Sequence, residues 1–269
     1  MRDSAAIEYL RHRRATYFFG NPGPPLPAGL SARWRLSPGD PRAWHGNMVG
    51  FLEAPPGRLG ELLDIAGRWF GRFRVDAWVD VDEFGPLFRE QHLLDQRGFR
   101  LYNEWDAMLC RRLVSPPEQP PIDLRPAEDE AALLESALIA EQADRSEPLA
   151  ARDQAVQARF RRFWLEYRDW QSRFVVAFLD GKPVGTARLT REDLPVVVGV
   201  ATLPAARNRG VASALVTSLV ETALAESGAC ALYADRGSQA ARIYNRLGFV
   251  PLFRSHAWVR PFVGPGQKS

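Results

Sequence analysis

Arg207-Asn-Arg-Gly-Val-Ala212 is the stretch of this sequence whose residue types and spacing could do chemistry. It follows a β-branched run, Val196–Thr202, and a Leu203-Pro204 break, and it opens a segment with helical apolar spacing. The first turn of a helix leaves about four backbone N–H groups unpaired and carries the positive end of the macrodipole. Gly210 lets the backbone approach a ligand closely, Ala212 and Ser213 keep the turn open, and Arg207 and Arg209 add formal charge. Residues of these types in this order suit an anion, best a pyrophosphate. A tight strand-to-helix turn that needs glycine only for its geometry would use the same residues. Six positions alone leave both readings open.

A second motif lies downstream, Ala240-Ala-Arg-Ile-Tyr244-Asn-Arg-Leu-Gly248-Phe249. With Arg207-x-x-Gly210-x-Ala212 and Ile-Tyr-x-x-x-Gly-Phe at this separation, Ile122–Phe262 resembles the GNAT family of acyl-CoA-dependent N-acyltransferases. The resemblance implies an α/β (α+β) GNAT fold, a mixed and mostly antiparallel sheet flanked by helices. It implies acetyl-CoA as acyl donor and an amine as acceptor, read here as a primary amine of a small molecule; the alternatives are a non-catalytic acyl-CoA sensor and acetylation of a protein N-terminus or lysine. By position, the backbone of Val200, Ala201 and Thr202 would pair with the pantetheine arm. Arg207 and Asn208 begin the turn, and the N–H groups of Arg209, Gly210, Val211, Ala212 and Ser213 would hold the pyrophosphate. Tyr244 would protonate the departing thiolate, since a phenol of pKa about 10 can donate to a thiolate whose conjugate acid lies near 8.5. The alternative is a helix residue packed on Ile243 and Phe249, and the motif context favours the catalytic role. Two positions depart from the family. Val196–Thr202 carries no acid to act as general base, with Glu192 and Asp193 just before it, and Gly237 stands where the family often has asparagine.

The elements that must position these residues can be read in order. Ile122-Asp-Leu-Arg-Pro is a short strand, followed by helices near Glu128–Gln142 and Ala150–Tyr167. Phe174–Leu179 and Pro183–Leu189 form a hairpin around an Asp180-Gly181 turn. Val196–Thr202 is a buried strand. Gly210–Ser227 is a helix, with Ala212, Leu215, Val216, Leu219, Val220, Ala223 and Leu224 on its apolar stripe and Gly228 as its stop. Ala229–Ala234 is a strand, Ser238–Leu247 a helix, and a strand pair is expected after Gly248-Phe249.

Val114-Ser-Pro-Pro-Glu-Gln-Pro-Pro121 has four prolines in eight residues and reads as a stiff linker between residues 1–113 and 122–269. Asn21-Pro-Gly-Pro-Pro-Leu-Pro27 reads as a loop. Before the linker, a strand over Asn47–Glu53, a helix over Leu62–Phe70, a β-rich run over Phe73–Val81 and a helix ending at Arg97-Gly98-Phe99 look like a worn copy of the second half. Gly60 and Gly98 stand 98 − 60 = 38 positions apart, and so do Gly210 and Gly248, 248 − 210 = 38. In that alignment Leu94 replaces Tyr244, Gly57 replaces Arg207 and Leu62 replaces Ala212, so the first half is expected to be degenerate. Its tryptophans, Trp34, Trp44, Trp69, Trp78 and Trp105, are read as core.

Composition narrows the class. The chain is 46% hydrophobic and 25% charged, ordinary for a globular protein. No run approaches the ~18–20 apolar residues of a membrane span, and Met1–Leu10 has no apolar core of the signal-peptide kind. Cys110 and Cys230, the two cysteines, do not make a disulfide framework, which sets the cytoplasm as the expected compartment. The net charge is +3, but the basic residues are scattered among 32 acids, so neither nucleic acid nor a membrane is an expected partner. No metal ligand set is read, and a homodimer is left open.

Overall fold

The computed structural model describes residues 3–18, 23–37, 47–114, 121–143 and 172–263. The helix expected over Ala150–Tyr167, Trp44 and most of the Val114–Pro121 linker lie outside the described residues. The chain forms two compact units, Met1–Ala107 with Leu252–Ser269, and Met108–Pro251. These bounds differ from a cut at the linker, because the last strand of the chain pairs within the first unit.

In chain order the elements are α1 (Ser4–Phe18), β1 (Ser31–Arg35), β2 (Met48–Glu53), α2 (Leu59–Arg72), β3 (Ala77–Asp82), α3 (His92–Asp95) and β4 (Arg100–Cys110). They continue with β5 (Asp123–Pro126), α4 (Glu130–Ala143), β6 (Arg173–Leu179), β7 (Lys182–Leu189) and β8 (Val196–Thr202). The last are α5 (Val211–Ser227), β9 (Cys230–Asp235), α6 (Gln239–Arg246) and β10 (Val250–Arg260). The strand pair expected after Phe249 is the single strand β10, since no turn residues interrupt Leu252–Arg260.

In the second unit the strand order is β9-β8-β7-β6-β5. β8 and β9 are parallel and the other pairs antiparallel, the mixed sheet expected. Asp180 (φ 53°) and Gly181 (φ 72°) make the tight turn between β6 and β7. Alternation along β6 sends Val175, Ala177 and Leu179 into a core with Val211, Leu215, Val216, Leu219 and Val220 of α5. Phe174 and Val176 point the other way, onto Leu133 and Ile139 of α4. The sheet is therefore sandwiched between α5 and α4. Buried Ser136 of α4 fastens that layer by sharing a 2.6 Å hydrogen bond with Thr186 of β7.

In the first unit the order is β1-β2-β3-β10, with β2 and β3 parallel. Leu59, Leu62, Leu63, Ala66 and Phe70 of α2 fill a core with Trp34, Val49, Val79, Phe99 and Trp258. Trp34 and Trp78 are buried, as expected of core tryptophans, while Trp69 and Trp105 are partly buried.

Candidate functional site

The site in the second unit starts from an irregularity in β8. Thr186 pairs with Ala201 and Arg188 with Val198, so Gly199 and Val200 together face the single residue Ala187. This bulge needs a left-handed residue, and Gly199 supplies it at φ 64°. β8 pairs with β9 only at Val196↔Ala231 and Val197↔Leu232. Past the bulge the strands part, and the edge of Val200, Ala201 and Thr202 is released into a cavity.

That cavity has a volume of about 600 Å³. Val200, Ala201, Thr202, Arg207, Asn208, Arg209, Gly210, Val211, Ala212 and Ser213 all line it. The ten positions expected to hold a cofactor therefore come together. Gly210 is the N-cap of α5 at φ 83°, and among the described residues no side chain caps the turn. The first intrahelical bond runs from Ala214 N–H to Gly210 O at 3.0 Å, which leaves the N–H groups of Val211, Ala212 and Ser213 outside the helical ladder. Thr202 Oγ1 is buried beside this turn with no hydrogen-bond partner among the described residues. Buried polar atoms are rarely left so unless a ligand or water completes them.

The charges are placed differently from the sequence expectation. Arg207 turns its guanidinium to backbone carbonyls, Nη2 donating to Ala143 O at 2.6 Å and Nε to Thr202 O at 3.4 Å. It ties the turn to the end of α4. Arg209 is exposed and lies 3.6 Å from Asp180. Asn208, left-handed at φ 61°, accepts a 2.7 Å hydrogen bond from Gln239 Nε2 of α6, which links the two walls of the cavity. Among the described residues the lining holds three arginines and no acid, so its field favours an anion. Neither Glu192 nor Asp193 lines it.

Residues of α6 were missed by sequence reasoning. Gln239, Ala240, Ile243 and Arg246 form the opposite wall. Their spacing of three and four is the available signal, but it marks a helix face without saying what the face meets. α6 begins at Ser238, whose Oγ accepts from Ala241 N–H at 3.0 Å.

Tyr244 is not among the lining residues. It is buried in the core, 6% exposed, with its ring 6.0 Å from that of Phe249. It stands one helical turn from Ala240, which does line the cavity. Burial, and secondarily the charge of Asp235, pushes its phenol up to about 12. The hydroxyl therefore stays protonated across the working range of an enzyme. Cys230 is likewise pushed up to about 12 by burial, and both cysteines are free and buried.

The residues present fit a nucleotide-linked thioester. A helix N-terminus and arginines suit a pyrophosphate, and a released strand edge suits an amide-bearing arm.

Local geometry of the site recurs in the first unit. β2 pairs with β3 only at Met48↔Trp78 and Val49↔Val79, and the register of β1 leaves Phe51 and Leu52 opposite Ala32 alone. Phe51 takes φ 52° at the place in its strand that Gly199 takes in β8. The turn that follows is filled. Arg58, the N-cap of α2, pairs with Glu61 at 2.8 Å and donates to Ala28 O at 2.9 Å. Gly60 is not the counterpart of Gly210 that equal spacing suggested. It is the second residue of α2, without a left-handed φ, and a Cβ there would collide with the guanidinium of Arg97.

Residues 137–249 match the model of the "Acetyltransferase (GNAT) family", a segment shorter than half of the chain. A search of curated proteins gave no match. Among solved structures, a GCN5-related N-acetyltransferase from Kribbella flavida superposes with a TM-score of 0.66 at 17% identity, over 97% of this chain and 96% of that one. A GCN5-related N-acetyltransferase from Sphaerobacter thermophilus gives 0.66 at 16% identity, over 88% and 78%. A tandem GNAT protein from the clavulanic acid biosynthesis pathway gives 0.58 at 16% identity, over 98% and 97%. At these identities the likeness is one of fold, and the fold is that of GNAT acetyltransferases. No helix among the described residues is long and apolar enough to cross a membrane.

Proposed function

We propose that the second unit binds acetyl-CoA in its cavity and transfers the acetyl group to a primary amine of a small molecule. The observation that carries this reading is the meeting of three features in one cavity whose described lining holds no acid: the released edge of Val200–Thr202, the first turn of α5, uncapped among the described residues, and the arginines. Val200, Ala201 and Thr202 would hold the pantetheine, and the N–H groups from Arg209 to Ser213 the pyrophosphate. When bound, the thioester supplies an activated acyl carbon. A neutral amine attacks that carbon, the C–S bond breaks, the nitrogen gives up a proton and the sulfur gains one. No covalent intermediate on the protein is needed, and positioning supplies much of the rate. Tyr244 is the candidate donor to sulfur, a neutral phenol one turn from the cavity wall.

We read the first unit as a degenerate copy of the same fold. Its support is the recurring bulge and two-pair parallel register, the filled turn at Arg58, and the fold shared with a protein described as a tandem GNAT.

A non-catalytic acyl-CoA sensor is the second reading, favoured by the lack of any acid in the described lining. Thiol release from acetyl-CoA, measured over a panel of primary amines, separates the two. Amine-dependent release is expected, with its loss in Gly210→Val, where a β-branched residue meets a left-handed backbone at about 1–2 kcal/mol of strain. Binding of acetyl-CoA without release by any amine would make the protein a sensor. Failure to bind acetyl-CoA would remove both readings.

A further inference from the structure

The first unit holds a cavity of its own, of about 890 Å³. It opens at the C-terminal end of α2, whereas the cavity of the second unit opens at the N-terminal end of α5. The volume is in the range of small-molecule sites. Gly67 and Gly71 of α2 form one wall, and buried Val75 and Phe99 give it an apolar floor, with Phe262 beside them.

Arg260 is its polar centre. The guanidinium lies 5.0 Å from the centroid of the Phe99 ring, and Nη1 donates to Arg97 O at 3.2 Å. A guanidinium has five N–H donors, so most of its capacity is unspent by that bond. Burial lowers its pKa, against the opposing pull of Asp64. A cation taken partly out of water is costly unless an anion accompanies it. The other charged lining groups are Asp95 and Arg100, so the lining as a whole is cationic.

Gly71 points the same way. Among the described residues a Cβ there would meet nothing within 4 Å, so their packing does not require glycine. It has no left-handed φ, and the residue that turns the chain after α2 is Arg74 at φ 56°. Glycine is among the worst helix formers, yet here it keeps a wall bare beside an open cavity. Gly67 differs, because a Cβ there would collide with Arg260 Nη2.

We propose that this cavity is a binding site for an amphipathic organic anion, such as a medium-chain carboxylate. The carboxylate sits on the Arg260 guanidinium and the chain lies on Val75, Phe99 and Phe262. The site does not depend on the acetyl-transfer reading of the second unit.

Calorimetric titration of the full chain with octanoate tests it. One octanoate per chain is expected to bind, at least tenfold more weakly in Gly71→Leu, where the new side chain fills the space. Arg260→Gln is expected to weaken octanoate by a similar factor and to leave 1-octanol unaffected. Because the space at Gly71 is open, the Gly71→Leu protein should melt no lower than the parent. No octanoate binding by the parent, or unchanged binding by Gly71→Leu, would overturn the proposal.

Discussion

Arg207 and Arg209 stand two positions apart with the same formal charge, and their surroundings give them different work. Arg207 spends its guanidinium on the carbonyls of Ala143 and Thr202, which makes it a brace for the turn. Arg209 is exposed and loosely paired, and exposed pairs of this kind contribute little to stability. Tyr244 presents the sharper question. Removing its hydroxyl keeps the ring against Phe249, so Tyr244→Phe should fold normally. If the phenol gives its proton only as sulfur departs, kcat should fall by about 10²–10⁴-fold with the KM for acetyl-CoA little changed. Steady-state kinetics decide it, and full activity in the variant would leave Tyr244 a packing residue. The same burial has a consequence for pH. Cys230 rises from 9.0 and Tyr244 from 10.0, both to about 12. At these two groups the folded chain keeps protons that the unfolded chain has lost, so they leave stability unchanged below about pH 9 and lower it as pH climbs toward 12. Urea midpoints at pH 7, 9 and 10 should show that decline, and Cys230→Ala should lessen it.

The elements around the cavity hold one another in place, and α5 packs closely on β7 at Gly185. A Cβ on Gly185 would fall 2.5 Å from Val211 Cγ1, 3.2 Å from Leu215 Cδ1 and 3.2 Å from Ala201 O. Ala201 and Val211 both line the cavity, so pushing α5 off the sheet distorts the site as well as the core. Gly185→Ala should cost about 1–3 kcal/mol, as overpacking does, and weaken acetyl-CoA binding in parallel. Chemical denaturation and calorimetry on the same variant give both quantities. Lost stability with undiminished affinity would show that the helix can shift without disturbing the turn.

Across the whole molecule, two units share a bulged strand and a short parallel register, yet only the second keeps an open turn. In the first, Arg58 with Glu61 and Ala28 occupies the N-terminus of α2, and a carboxylate stands where an anion would have to lie. One acetyl-CoA per chain is therefore the expected stoichiometry. A calorimetric value of two would mean that the first unit also binds it.

The sequence by itself determined most of the described elements of the second unit and the residues that line its cavity. Val196–Thr202 and Gly210–Ser227 are legible because period and punctuation are local properties of the chain, and the turn at Arg207–Ser213 because its chemistry is backbone chemistry. It suggested the likeness between halves, but through Gly60, which plays a different part from Gly210. The recurring feature is the bulge at Phe51 and Gly199, and a bulge is defined by a partner strand that no single segment contains. Only the tertiary structure decided that Arg207 braces α4, that α6 supplies the far wall, that Tyr244 lies just behind that wall, and that β10 pairs with β3. Each is a contact between residues distant in sequence. Spacing along the chain carries no information about such contacts until the sheet brings the segments together.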